Sequence, residues 1–293
     1  MRALNFGSLN LDYVYDVDHF VRPGETLAVL SRTVKAGGKG LNQSVALSRA
    51  GASVFHAGCL GAGGDFLKTI LETNGVNTGF LLPVPEAQGH AVIQVNAAGE
   101  NCILLCGGSN RCVPEDHIRR VMDSFNPGDW LILQNEINGL PLIVELASAR
   151  GMHIVLNPSP CDEAINEIDL SKVDWLLTNE IEATQLSGNG DPETAWKQLH
   201  ARHGGLSLLI TLGSRGSMAW QVADDTVTFH REKAQNVKAV DTTAAGDTYT
   251  GYFVAGLMEG LPLSVCMKQA GLAAAIAVTR PGAADSIPWK HEI

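Results

Sequence analysis

Two acidic residues, Asp241 and Asp247, bracket a run of small residues in the stretch 239–248. After Asp247, apolar residues recur at spacings of three and four, which predicts a helix. The run 244–246 would then be the helix N-terminus, where unpaired N–H groups and the helix dipole suit an anion such as phosphate. Asp247 in the first turn would be a base facing a phosphate donor. The competing interpretation is ordinary capping by Asp and Thr, with small residues chosen for packing.

A second stretch that could bind a ligand, residues 36–43, places Lys39 and Asn42 after the glycines Gly37 and Gly38. Glycines let a backbone approach a ligand closely, Lys39 brings a cation, and Asn42 brings a donor and an acceptor. The spacing is neither that of a Walker A loop nor that of the dinucleotide-binding fingerprint. Taken alone, the stretch is explained at least as well by a plain turn between a strand and a helix.

Polar side chains follow several short apolar runs that are predicted to be strands. Asn10 and Asp12 come after the first run and would point the same way in an extended segment, where they could bind a polyhydroxylated ligand. Glu136, Asn157 and Asn179 come after later runs. Because ligands bind at the carboxyl ends of parallel strands, these side chains are expected to share one site. Turn formation and helix capping are the alternatives.

The alternation of apolar runs and helical patterns predicts a three-layer α/β/α domain with a mainly parallel central sheet. The predicted strands are 3–7, 54–59, 130–134, 153–156, 175–178 and 208–211, with an edge hairpin at 216–230 that turns at Asp224 and Asp225. The predicted helices include 65–74, 114–125, 140–150 and 263–278, the last apolar on all sides and expected to be buried. Strand-like segments 13–17, 27–34, 90–95 and 102–105 predict a small separate sheet.

The composition bounds the class of protein. The chain has 293 residues, 45% hydrophobic and 18% charged, which is ample for a large core. A formal net charge of −10 argues against a nucleic-acid partner. No apolar run is long enough to predict a membrane partner, and the first residues turn polar too quickly for a signal peptide. Six scattered cysteines favour reduced thiols, so the cytoplasm is the expected location.

The string Asp241-Thr242-x-Ala244-Ala245-Gly246-Asp247 resembles the C-terminal signature of the ribokinase family, the phosphofructokinase-B-type sugar kinases. Residues 36–43 resemble the sugar-binding Gly-Gly signature of the same family, and the resemblance covers essentially the whole chain. It implies one kinase domain over 1–293, with a β-sheet lid from segments of about 13–35 and 88–106. It also implies an ATP-dependent sugar kinase that transfers the γ-phosphoryl group to a primary hydroxyl, with Asp247 as base and Ala244, Ala245 and Gly246 as an anion hole.

The resemblance carries over further site residues. The sugar site would be formed by Asn10, Asp12, Gly37, Gly38, Lys39, Asn42, Glu136 and Asp247. The ATP site would be formed by Asn179, Glu182, Thr211, Gly213 and Gly216, with Glu182 holding Mg²⁺ through water. A potassium site would be formed by Asp241, Thr243, Ala277, Gly282 and Ser286, although Asp285 departs from the family pattern in that loop. ATP, Mg²⁺ and K⁺ are therefore the expected cofactors.

The residues that the resemblance places in the sugar site favour D-ribose as the acceptor, which would give ribose 5-phosphate. Another sugar or a nucleoside stays open, and a sugar already bearing phosphate would need extra cations such as Arg32 or Arg111. A catalytically silent sugar-binding regulator is a further alternative, against which the complete run from Ala244 to Asp247 argues. Exposed strands in the lid would allow a homodimer through that sheet.

Overall fold

The computed structural model describes residues 1–224 and 226–293, so one half of the predicted turn, Asp225, lies outside the described residues. The strands in chain order are β1 (Ala3–Phe6), β2 (Asn10–Asp16), β3 (Ser31–Gly37), β4 (Val54–Ala62), β5 (Asn77–Ala87), β6 (His90–Val95), β7 (Asn101–Cys106), β8 (Trp130–Gln134), β9 (His153–Asn157), β10 (Trp175–Asn179), β11 (Ser207–Thr211), β12 (Ser217–Ala223) and β13 (Thr226–Glu232). The helices are α1 (Lys39–Arg49), α2 (Asp65–Thr73), α3 (Glu115–Met122), α4 (Leu140–Ala149), α5 (Glu180–Ser187), α6 (Pro192–His203), α7 (Ala245–Met258) and α8 (Leu263–Val278).

Within the described ranges, the large sheet has nine strands in the order β13-β12-β11-β10-β9-β8-β1-β4-β5. The strands from β11 to β5 pair in parallel, and β12 and β13 pair antiparallel at one edge. Short strands without polar interruptions, such as β8 and β11, are buried because helices cover both faces of a parallel sheet. The predicted fold class, a three-layer α/β/α domain with a mainly parallel sheet, is confirmed.

Alternate side chains of each central strand enter two separate cores. In β8, Trp130 and Ile132 pack on the side of α1, α2, α7 and α8, whereas Leu131 and Leu133 pack on the side of α3 and α4. This period of two follows from the pleat of a strand. The predicted bounds of this strand, 130–134, are those of β8.

The small sheet has the order β3-β2-β6-β7 and stands apart from the large one. β2 pairs antiparallel with β3 and parallel with β6. The predicted strand 27–34 begins too early, because β3 starts only at Ser31. Its partner β2 ends at Asp16, and the Leu30 N–H donates to the Asp16 carbonyl at 2.8 Å, so residues 27–29 have no strand to pair with.

Two other sequence interpretations were wrong. The edge strand β5 was not predicted, because Pro83 and Pro85 interrupt its pattern, and prolines are confined to edge strands. Helix α8 was expected to be buried on all sides, but Leu272 and Ile276 are only half-buried. The helix packs mainly against α7 through its opposite face, which includes Cys266. In the described ranges, no helix is both long and apolar enough to cross a membrane.

Candidate active site

The carboxyl ends of β9, β10 and β11 meet the N-terminus of α7 in a cavity of about 240 Å³. The predicted site residues that line this cavity are Lys39, Asn179, Glu182, Thr211, Ala244, Ala245, Gly246 and Asp247. A larger cavity, of about 480 Å³, lies at the opposite, amino ends of the strands, beside Trp130, Trp175 and Ser207. The smaller cavity is the candidate site because the polar groups of several segments converge there, as they do in binding sites generally.

Helix α7 begins as the sequence predicts. Ala244 precedes it with a φ of 58°, in the left-handed region, and turns the chain into the helix. The first N–H groups of a helix have no acceptor within that helix, and its dipole favours an anion at this end. A Cβ built at Gly246 would meet no described atom within 4 Å, so the space in front of these N–H groups is open. An oxyanion could therefore approach the helix N-terminus.

Asp247 lies in the first turn of α7 and is 8% exposed. Its Oδ2 accepts a hydrogen bond from Asn42 Nδ2 at 3.0 Å, and its Oδ1 accepts one from Gln43 Nε2 at 2.9 Å. Both donors lie on α1, more than 200 residues away in sequence. The carboxylate is thus held in a fixed orientation beside the open helix N-terminus.

Close packing between α7 and α1 makes these contacts possible. A Cβ at Gly251 would lie 2.8 Å from the Leu47 backbone nitrogen, so only glycine lets the two helices approach this closely. At the other end of α1, a Cβ at Gly40 would overlap the backbone of Gly7 and Ser8. Gly40 therefore brings the start of α1 against the end of β1, and Gly251 brings α7 against the later part of α1.

The buried Glu136 and the half-buried Lys39 interact electrostatically with each other and with Asp247. Glu136 Oε2 accepts hydrogen bonds from the backbone N–H of Lys39 at 3.0 Å and from the Ser8 hydroxyl. Burial raises the pKa of Glu136, and the positive charge of Lys39 opposes that rise. Burial by itself would lower the pKa of Lys39, but the charges of Asp247, Glu136 and Glu182 raise it above its ordinary value. Lys39 therefore remains a cation between the acidic residues of the site.

Asn10 and Asp12 lie on the same face of β2, as predicted for an extended segment. Burial, followed by the charge of Glu136, raises the pKa of Asp12 to about 7. The carboxylate lies against Gly37, where any side chain would overlap it, and Gly38 has a φ of 93° that favours glycine. The structure therefore gathers the predicted sugar-site residues around Glu136 and Lys39.

On the other side of the cavity, Asn179 and Glu182 form a capping box at the start of α5. Asn179 Oδ1 accepts from the Glu182 N–H at 2.9 Å, and Glu182 Oε2 accepts from the Asn179 N–H at 3.0 Å. This confirms the capping interpretation, and both side chains also line the cavity, so a binding role remains compatible with it. Gly213 and Gly216 follow β11 with φ values of 57° and 94°, which favour glycine.

The predicted potassium residues are partly brought together. Asp241 accepts hydrogen bonds from the Thr243 N–H at 2.9 Å, from its hydroxyl at 2.6 Å and from the Gly282 N–H at 2.9 Å. The Ala277 carbonyl and the Ser286 hydroxyl are engaged in hydrogen bonds within the tail. In the described part of the chain, no three His, Cys, Asp or Glu side chains are grouped so that they could hold a metal ion.

Sequence reasoning assigned no role to Gln43, Gln134 or Asn110, which all support the site. Gln43 contacts Asp247, Gln134 contacts Gln43, and Asn110 Nδ2 donates to Asn10 Oδ1 at 2.7 Å. Gln43 stands next to Asn42 within the predicted motif, which is a weak signal. Gln134 and Asn110 make contacts with residues that are distant in sequence, and no sequence pattern indicates those contacts.

The sequence and the fold of this chain are similar to those of known proteins along almost the whole of its length. Residues 2–290 match the model of the pfkB family carbohydrate kinases. The chain is 36% identical to a ribokinase of Haemophilus influenzae, covering 98% of this chain and 95% of that one. It is 30% identical to a deoxyribokinase of Salmonella typhi, covering 96% and 94%. The structure of Arabidopsis thaliana ribokinase complexed with ribose and ATP matches with a TM-score of 0.87 and 27% identity, covering 99% of this chain and 96% of that one.

The fold is shared with these relatives, and together with an anion-suited helix N-terminus beside a buried carboxylate it defines an ATP-binding sugar kinase, a phosphotransferase. The chain belongs to the pfkB family of carbohydrate kinases. The resemblance noted from the motifs and the expected enzyme class are both confirmed.

Proposed function

We propose that the enzyme transfers the γ-phosphoryl group of ATP to the primary hydroxyl of a small sugar, with D-ribose as the leading acceptor and ribose 5-phosphate as the product. The observation that carries this proposal is the placement of Asp247. Its carboxylate is buried, held by two amide donors, and lies in the first turn of a helix whose N-terminus is open. A base and an anion site are thus adjacent, as an in-line phosphoryl transfer requires.

In this mechanism, Asp247 orients the acceptor hydroxyl and takes its proton as the hydroxyl oxygen attacks the γ-phosphorus, while the bond from that phosphorus to the bridging oxygen breaks and ADP leaves. The N–H groups of Ala245 and Gly246, with the turn at Ala244, stabilise the charge that develops on the transferred group. Lys39 adds a positive charge beside the cavity. The chemistry needs positioning and charge neutralisation rather than a covalent intermediate.

The sugar binds among Asn10, Asp12, Asn42 and Glu136, next to Asp247. Support comes from Asn42, whose Oδ1 is buried and has no hydrogen-bond partner among the described residues. A buried acceptor without a partner is costly, and a sugar hydroxyl could donate to it. Gly37, Gly38 and Lys39 complete the predicted set and belong to the same turn into α1.

ATP occupies the side of the cavity formed by Asn179, Glu182 and Thr211, followed by Gly213 and Gly216. Mg²⁺ supplies neutralisation of the phosphate charges when it is bound. Glu182 suits it because a carboxylate can hold Mg²⁺ through water, and Glu182 Oε1 takes no part in the capping box.

We further propose a potassium ion at the Asp241 loop, with Thr243, Ala277, Gly282 and Ser286. The contacts of Thr243 and Gly282 with Asp241 give partial support.

A coupled assay of ADP release tests the function. Wild-type enzyme with ATP is offered ribose, 2-deoxyribose, other pentoses, ketohexoses and nucleosides, with Mg²⁺ or K⁺ omitted in separate runs. We expect ribose to give the highest kcat/KM. Asp247→Asn should lose at least about a hundredfold in kcat while still binding the sugar. Glu259→Gln, which makes the same change just after the last turn of α7, is the matched control.

Near-normal turnover of Asp247→Asn would refute the catalytic assignment. If 2-deoxyribose or a nucleoside gave the highest kcat/KM, that compound would take the place of ribose as the proposed acceptor. Sugar binding by calorimetry without turnover of any acceptor would favour the regulator alternative.

We also propose that residues 1–293 act as one kinase domain, with the small sheet as a lid that keeps water from the transferred phosphate. The edge strand β7 of that sheet exposes Ile103, Leu104 and Leu105, with Leu104 70% exposed. An apolar edge strand of this kind favours pairing with a second copy, so we propose a homodimer through the lid. The molar mass in solution, measured by light scattering, tests the dimer.

We place the enzyme in the cytoplasm, where ATP is available. The six cysteines are free, which fits a reducing compartment. Cell fractionation tests this location.

A further inference from the structure

A chain of buried amide side chains runs from Asp247 to the first turn of α1. Gln43 Nε2 donates to Asp247 Oδ1 at 2.9 Å, and Gln134 Nε2 donates to Gln43 Oε1 at 2.7 Å. Gln134 Nε2 also donates to Asn5 Oδ1 at 2.9 Å, and Asn5 Nδ2 donates to the Gly40 carbonyl at 2.8 Å. The three amide side chains are fully buried. They come from β1, α1 and β8, so three elements of the fold converge on one carboxylate.

The direction of these hydrogen bonds follows from the two ends of the chain. A carboxylate and a backbone carbonyl can only accept, so Gln43 must turn its NH₂ group to Asp247 and Asn5 must turn its NH₂ group to Gly40. The carbonyl oxygens of Gln43 and Asn5 then both face Gln134. Gln134 must therefore donate with both of its N–H groups, one in each direction.

This arrangement leaves the Gln134 carbonyl oxygen without a partner. Among the described residues, Gln134 Oε1 is buried and accepts no hydrogen bond, and it lies against Gly7, where a Cβ would overlap it. A buried acceptor without a partner destabilises the folded state, so a fold gains by avoiding one. Here that cost accompanies the only amide orientation that presents a donor to Asp247.

We propose that Gln43 and Gln134 are positioning residues for phosphoryl transfer: Gln43 holds the Asp247 carboxylate as a charged acceptor, and Gln134 prevents the Gln43 amide from turning over. The proposal rests on the proposed function of Asp247 and deepens it. If the Gln43 amide turned over, its carbonyl oxygen would face the carboxylate and repel it. Gln43 also donates to Asn157 Oδ1 at 3.3 Å, which is consistent with the same orientation.

Other charges act on Asp247 and must stay constant in a test. Lys39 on α1 and Glu136 after β8 share electrostatic interactions with it, and Glu182 on α5 acts on Lys39. Replacing Gln43 or Gln134 by methionine changes none of these charges and nearly preserves side-chain volume. A change in the pH dependence of such a variant would therefore report the lost amide contact.

The test compares Gln43→Met and Gln134→Met with the wild-type enzyme over a range of pH. A carboxylate that loses a hydrogen-bond donor is protonated more readily. We expect the acid limb of the kcat profile to move up by about one pH unit in both variants. Because the carboxylate is also no longer oriented toward the acceptor hydroxyl, kcat at pH 7 should fall about tenfold, while KM for the sugar should change less than about twofold.

Ser44→Ala is the matched control. Ser44 is fully buried, accepts from Asn5 Nδ2 at 2.9 Å at the far end of the same network and is hydrogen-bonded to His56 Nδ1 at 2.8 Å, but it contacts neither Gln43 nor Asp247 through its side chain. The acid limb of the kcat profile of Ser44→Ala should coincide with that of the wild-type enzyme. A wild-type acid limb in Gln43→Met, or an equal shift in Ser44→Ala, would overturn the proposal.

A second measurement separates this proposal from the proposed function. If the wild-type enzyme releases no ADP with any acceptor, the proposed function fails. Proton uptake by Asp247 can still be followed by carbon-13 NMR of labelled aspartate carboxyl groups, with the signal assigned by its loss in Asp247→Asn. Protonation at higher pH in Gln43→Met and Gln134→Met, but not in Ser44→Ala, would support the positioning role, and equal behaviour of the three variants would refute it.

Discussion

Replacing Asp12 by Asn is expected to stabilise the protein, and to do so more at pH 8 than at pH 5. Burial, with a further contribution from Glu136, raises the pKa of Asp12 from 3.8 to about 7. Between these two values the folded protein holds a proton that the unfolded chain has released. The free energy of unfolding therefore falls as the pH rises from about 4 to about 7. The Asn side chain does not titrate in either state, so Asp12→Asn removes this pH dependence.

The magnitude follows from the size of the shift. Each pKa unit corresponds to 1.36 kcal/mol, so a shift of about three units costs the folded state about 4 kcal/mol at pH 8. At pH 5 the unfolded chain has already released its proton, but the pH has risen only about a third of the way from 3.8 to the folded pKa of about 7, so the cost is about 2 kcal/mol. The stabilisation by Asp12→Asn should accordingly be about 2–3 kcal/mol larger at pH 8 than at pH 5.

Urea unfolding at the two pH values measures this difference. Asp123→Asn is the control, because it makes the same chemical change at a side chain that is 68% exposed and whose ion-pair partner, Arg150, stays charged at both pH values. Its effect on stability should be small and equal at both pH values. If Asp12→Asn gave the same change in the free energy of unfolding at pH 5 and pH 8, the account of a buried carboxylate with a raised pKa would be refuted.

The same variant tests why such a costly group is retained. If Asp12 accepts hydrogen bonds from the sugar, Asp12→Asn should weaken sugar binding although it stabilises the protein. The wild-type affinity for the sugar should also rise as the pH increases through about 7, because the carboxylate is the better acceptor. Calorimetric titration with ribose at several pH values measures both effects. Unchanged affinity in the variant would remove Asp12 from the sugar site.

Two further predictions concern packing and assembly. Gly251→Ala should destabilise the protein by about 1–3 kcal/mol in urea unfolding, because its Cβ would lie 2.8 Å from the Leu47 nitrogen. Gly271→Ala on α8, where a Cβ meets no described atom within 4 Å, should instead be neutral or stabilising by up to about 1 kcal/mol, and equal losses in the two variants would contradict the packing argument. Leu104→Lys should reduce the molar mass in solution from that of a dimer to that of a monomer, and an unchanged mass would contradict the lid interface.

The sequence by itself determined the fold class and the elements with strong local patterns. Continuous apolar runs such as Trp130–Gln134 predicted buried parallel strands, and the small residues before Asp247 predicted the start of α7. Helix capping by Asn179 was also foreseen as an alternative, and the capping box with Glu182 depends only on residues three apart. These features are local, so the amino-acid pattern contains the physical information that decides them.

Features that depend on distant partners were decided only by the tertiary structure. The start of β3 depends on where β2 ends, and the exposed side of α8 depends on which of its faces meets α7. The contact between Gln43 and Asp247 joins positions 204 residues apart, and no local pattern indicates it. The orientation of the Gln43 amide depends in turn on Gln134, on a different strand. The motifs thus indicated Asp247 and the helix N-terminus beside it, whereas the groups that hold the Asp247 carboxylate in place follow from how β1, α1, β8 and α7 pack together.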